Sequence, residues 1–119
     1  MSRSRLAIAA VTIILFVAAG AFVVASNMHP GAGSVTFNVT VTGASHMTPS
    51  SLSAHQNDTV TINVTSDQTG EVHLHVYDIP FNAVAGTTVS HTFKADKTCT
   101  CDIEWESTST PLGTLVVSP

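Results

Sequence analysis

Beyond residue 33 the chain alternates. Val35, Phe37, Val39 and Val41 are separated by Thr36, Asn38 and Thr40, so an extended segment has one apolar and one polar face. The same two-residue period appears in Thr59–Val64, through Val60, Ile62 and Val64. Further strand-like runs follow at Glu71–Tyr77, Thr87–Phe93, Thr100–Glu106 and Leu112–Val117. Turn formers separate the runs: Gly43, Pro49, Asn57-Asp58, Asp67 to Gly70, Pro80, Ala85-Gly86 and Pro111. No stretch after Ala25 holds a helical period. Six or seven short strands rich in Thr and Val, in about ninety residues, predict an all-β sandwich over residues 34–119.

The pattern before Ala25 is of another kind. Arg3 and Arg5 precede an unbroken apolar run from Leu6 to Ala25, in which only Thr12 is polar. A helix of that length spans a hydrocarbon core of about 30 Å. Two arginines without a neighbouring acid put the N-terminus in the cytoplasm. Residues 1–26 are therefore expected to be a signal anchor, or a signal peptide cleaved near Ala25 or Ser26; the length of the run favours the anchor. Residues 27–33, with Pro30 and two glycines, read as a linker. The domain beyond them is expected outside the cytoplasm, held to the cell membrane by a single pass, or secreted if cleavage occurs.

Composition then narrows the function. With 10 % charged and 44 % hydrophobic residues, the 119-residue chain does not have the make-up of a disordered protein. Its length suits one domain. Four Lys and Arg stand against eight Asp and Glu. Both arginines belong to the N-terminal segment, which leaves the domain with Lys94 and Lys97 against all eight acids. No basic stripe tracks phosphates, so a nucleic-acid partner is excluded, whereas cations suit such a surface. Asn38, Asn57 and Asn63 stand in Asn-x-Thr sequons, which so threonine-rich a chain supplies by chance.

The candidate chemistry is histidine and cysteine chemistry. His73 and His75 flank Leu74, and on a strand both point to one side, where two imidazoles converge on a metal or sit on a solvated face. His46-Met47 reads as a loop offering imidazole and thioether, a pairing suited to copper. His55 is a further candidate. His91 alternates with Val89 and Phe93 and reads as a core histidine. Cys99 and Cys101 are the only cysteines, and three states are open to them: a disulfide, a dithiolate metal ligand pair, or unpaired thiols. Asp102, Glu104 and Glu106 share a face, either as a charged edge that blocks sheet aggregation or as an acidic wall beside a metal or partner site. No nucleophile with its base, zinc-protease motif or phosphate loop is present, so no enzymatic activity is expected.

Several segments resemble cupredoxins. Asn57-Asp58-Thr59-Val60 is similar to the Gly-Asp-x-Val that opens a cupredoxin strand. His73-Leu74-His75-Val76-Tyr77-Asp78 is similar to the His-Asn-x-x-Phe-Asp segment of plastocyanin-type proteins. Val84 to Thr88 resembles their Pro-Gly turn, and Leu112 to Val117 their last strand. The His-x-His-x-Tyr-Asp spacing resembles membrane-anchored bacterial and archaeal cupredoxin-like domains most closely. The resemblance implies a Greek-key cupredoxin-like β-sandwich, preceded here by one transmembrane helix or signal peptide. It also implies that His73 takes the place of the first copper ligand. The Cys, His and Met of a blue-copper site fall near Trp105, Thr108 and Pro111, and no His or Met follows His91. A standard blue-copper site is therefore excluded by inventory. The resemblance further implies that His73, His75 and Tyr77 face the core side, whereas plain alternation turns Val72, Leu74 and Val76 inward; the family register is the one expected.

The expectation is a membrane-tethered module that binds a metal ion, copper foremost, at His73 and His75, with His46, Met47, Cys99 and Cys101 as further ligands. Its expected partners are the membrane and a neighbouring membrane redox or metal-transport protein. The rival is a metal-free cupredoxin-like interaction domain with a Cys99–Cys101 disulfide. Thiol exchange at the two cysteines is a third reading, less suited to a strand than to a helix N-terminus.

Overall fold

The computed structural model describes residues 33–119. The expected membrane or signal segment and all but the last residue of the linker lie outside the described residues. The strands are β1 (Ser34–Thr42), β2 (His46–Thr48), β3 (Ser51–His55), β4 (Thr59–Ser66) and β5 (Gly70–Leu74). They continue as β6 (Ile79–Ala83), β7 (Thr88–Lys94), β8 (Cys99–Trp105) and β9 (Thr110–Ser118), with a 3-10 turn at Glu106–Thr108. One sheet has the order β2-β1-β4-β7, and the other β3-β9-β8-β5-β6. β1 runs parallel to β4 and β3 parallel to β9, while the remaining pairs are antiparallel. The chain thus crosses repeatedly between the sheets, which makes a Greek-key β-sandwich.

The alternation seen in the sequence explains the packing. Val35, Val39 and Val41 of β1 and Val60, Ile62 and Val64 of β4 meet Val72, Leu74, Phe81, Ile103, Trp105, Leu115 and Val117 of the facing sheet. Each such side chain contributes about 1.5–3 kcal/mol on leaving water. Three strands escaped the sequence reading. β2 and β3 are short and Ser/Thr-rich. β6 contains Pro80, a loop marker in the sequence; β6 is the outermost strand of its sheet, the position in a sheet where proline is tolerated.

The expected family register for the histidines is corrected. Val72 and Leu74 are buried, so His73 and His75 emerge on the outer face of the five-stranded sheet. Leucine and valine gain more from burial at those positions than imidazole does. The expected strand to Tyr77 also stops early, at Leu74. The chain turns through Val76 at φ 77° and Asp78 at φ 54°, which leaves Val76 53 % exposed and not inward as alternation required. Tyr77 alone keeps its family place, packing on Phe93 with ring centroids 4.9 Å apart. Its hydroxyl donates to the Lys97 carbonyl at 2.6 Å and accepts the Lys97 N–H at 2.9 Å, fixing the segment before β8.

Asp58 organises the opening of β4. Its buried carboxylate accepts N–H bonds from Gly33 at 3.0 Å and His55 at 2.8 Å, and its carbonyl accepts the Ala95 N–H. Asn57 sits at φ 76°, the left-handed region that Asn tolerates and that the cupredoxin motif gives to Gly.

Candidate metal centre

β5 and β8 are adjacent inner strands of the five-stranded sheet, and their antiparallel register sets His73 opposite Glu104. The same register places Val72 opposite Trp105 and Leu74 opposite Ile103, all on the inner side. The outer side therefore collects His73, His75 and Glu104. Two turns close over them. The turn after β5 brings Asp78, and the 3-10 turn after β8 brings Glu106.

His73 is held from both ends. Nε2 lies 2.8 Å from Asp78 Oδ1, and Nδ1 lies 3.0 Å from Glu106 Oε1. Its ring is tilted against that of His75, with centroids 4.5 Å apart. The His75 backbone N–H donates to the Asp102 carbonyl, and His75 Nε2 lies 3.2 Å from Glu104 Oε2. That proximity lacks hydrogen-bond alignment, and His75 Nε2 is a buried polar atom without a partner among the described residues. Burial pulls the pKa of His73 down, but the hydrogen bonds to Asp78 and Glu106 and their negative charge outweigh it, and the net shift is upward. Asp78 is 88 % exposed, so solvent screens its part of the attraction.

His73, His75 and Glu106 each present a ligand atom, and the three atoms lie within 4.8 Å of one another. Two donors about 2.1 Å from one ion are at most about 4.2 Å apart, so a separation at the 4.8 Å limit would have to close by at least about 0.6 Å on binding. Rotation of the exposed Glu106 side chain supplies part of that movement.

The other sequence candidates lie elsewhere. His46 is exposed on β2, in the opposite sheet, with Nδ1 3.4 Å from Ser45 Oγ. Met47, expected in a loop, is buried on β2, because β2 turns its middle residue into the core. Its methyl lies where a Cβ on Gly113 would stand. Cys99 and Cys101 are joined as a disulfide with Cα atoms 5.3 Å apart, so neither is a thiolate donor. Both belong to the inward side of β8, and Cys101 is fully buried. His55 ends β3, and His91 meets the Phe81 ring edge-on at 4.9 Å. Of the expected ligands, the structure brings together His73 and His75. It adds Glu106, which the sequence offers as part of a charged edge or of an acidic wall and not as a ligand. Strand pairing was the missing signal.

No family model and no curated protein matches the sequence. Solved structures do resemble it. A multicopper oxidase, mgLAC, superposes with a TM-score of 0.51 at 17 % identity, over 72 % of this chain and 39 % of its own. A heme-copper terminal oxidase from a dimer solved by cryo-EM gives 0.57 at 15 % identity, over 67 % and 62 %. The blue copper oxidase from Nitrosomonas europaea gives 0.52 at 16 % identity, over 72 % and 39 %. The fold is cupredoxin-like. The matched part spans less than two thirds of each of these neighbours. The copper site of the cupredoxin family does not fit: no His or Met follows His91, the cysteines are bonded to each other, and His73 faces outward.

Proposed function

We propose that this is a membrane-tethered, extracytoplasmic cupredoxin-like module that binds a metal ion, copper foremost, on the outer face of its five-stranded sheet. His73, His75 and Glu106 are the ligands. One observation carries the reading. Both ring nitrogens of His73 stand at hydrogen-bond distance from carboxylate oxygens, yet a neutral imidazole has a single N–H. With that N–H directed at Asp78, the Nδ1 lone pair faces Glu106, and a cation is needed between them. A proton fills the role to a higher pH than in a free imidazole, and a metal ion fills it by displacing that proton. Asp78 then acts as the carboxylate that fixes the tautomer of a ligating histidine. The disulfide suits an oxidising compartment, in keeping with export by the segment of residues 1–26.

The test is calorimetric titration of the full chain in detergent with Cu(II) and Zn(II), beside the double variant His73→Ala/His75→Ala. Stoichiometric binding that the variant loses supports the module. A second reading has its own support: the two hydrogen bonds of His73 and the bridged cysteines also suit a metal-free interaction domain. Absence of binding in both oxidised and reduced protein selects that reading.

A further inference from the structure

We propose that this site, on the reading that it binds a metal at all, selects the divalent state: it takes Cu(II) or Zn(II) and does not retain Cu(I). The donors on the outer face are two imidazoles and a carboxylate, which suit divalent ions of borderline hardness. Two further carboxylates stand against the imidazoles, Asp78 at 2.8 Å from His73 and Glu104 at 3.2 Å from His75. Three carboxylates thus surround two imidazoles, and a dication offsets more of that charge than a monocation does.

Among the described residues, the soft donors that hold Cu(I) are all turned away. Met47 is enclosed in the core behind Gly113. Cys99 and Cys101 are spent on each other, on the opposite side of β8 from Glu104. The described fold therefore keeps disulfide and thioether sulfur on the inside of the sandwich and carboxylate on the outside. A consequence follows for copper as cargo. A one-electron reductant of the ascorbate class would reduce bound Cu(II) to Cu(I), which the Glu106 carboxylate and the surrounding acids would hold less well. The ion then passes to whatever thioether or thiolate acceptor is present.

The experiment loads the full chain with Cu(II) in one sample and Zn(II) in another. Each is dialysed without oxygen, with and without ascorbate, against a Cu(I) chelator, and metal in the retentate is measured. Copper is expected to stay without ascorbate and to leave with it, while zinc stays in both. Paramagnetic resonance of the loaded Cu(II) protein is expected to show nitrogen couplings from two imidazoles. Copper that remains bound after reduction overturns the selectivity and leaves the metal module standing. Failure of both Cu(II) and Zn(II) to load overturns the module itself.

Discussion

The two outer faces of the sandwich are built on the same strand alternation and solve opposite problems. On the four-stranded sheet the outward residues are hydroxyls and amides that satisfy one another across the strands. Thr61 meets Thr92 at 2.8 Å, Thr65 meets Thr88 at 2.7 Å, and the Asn63 amide donates to Asn38 at 2.9 Å. On the five-stranded sheet the outward residues are acids gathered round two histidines, and His75 Nε2 is left without a partner. The first face is closed in on itself. The second leaves an imidazole nitrogen unpaired among carboxylates, which is where the proposed cation would bind. Burial does not distinguish them, since both present half-exposed side chains above an aliphatic layer; the number of donors set against acceptors does.

This contrast is sharpest in metal affinity. Glu106→Gln removes a ligand oxygen's charge, and Asp78→Asn removes only the support of His73. The second is expected to weaken Cu(II) binding by about 10–100-fold, and the first by more, in the same calorimetric titration. Equal losses would make Asp78 a ligand in its own right.

The next effect is a pH dependence confined to the acidic face. The folded pKa of His73 is raised, so its protonated form is held better in the native state than in the unfolded chain. That stabilisation is fully present below the ordinary histidine value of about 6.5 and is lost as pH rises through the higher folded value. The effect is small, because Asp78 is 88 % exposed and screened. Urea denaturation of metal-free protein from pH 5.5 to 8.5 should show this decline in the parent, and His73→Gln should remove it. Copper affinity should change in the opposite direction, rising with pH as the proton leaves Nδ1.

The smallest effect belongs to the neutral face. Replacing Thr61 and Thr92 together by valine exchanges one cross-strand pair for another and is expected to change stability by no more than about 0.5 kcal/mol, without pH dependence. A larger loss, or any change in metal affinity, would mean that the two faces are coupled through the core.

The fold was legible where alternation ran for six residues or more, as in β1, β4, β7 and β8, and in β9 through an apolar run bounded by Pro111. β2 and β3 have three and five residues, too few to establish a period, and Pro80 disguised β6 as a turn. The end of β5 was hidden differently. His75-Val76-Tyr77-Asp78 contains no Gly or Pro, yet the chain reverses there, with the β-branched Val76 in the left-handed region. The histidine pair was legible because residues two apart share a side of a strand. Glu106 was not, because its approach to His73 depends on which strand lies beside β5 and on the 3-10 turn after Trp105. Met47 failed for a related reason: His46-Met47 suggests copper chemistry only if both side chains point the same way, and neighbours on a strand do not.

The Cys99–Cys101 bond closes a loop of only three residues. In the chain-entropy picture so short a ring restrains the unfolded polymer little, by about 1.6 kcal/mol, near the low end for disulfides. The sandwich is thus able to form before oxidation and to persist after reduction. The bond then serves as a mark of history more than as a brace: its presence in protein recovered from cells reports whether the domain has met an oxidising environment.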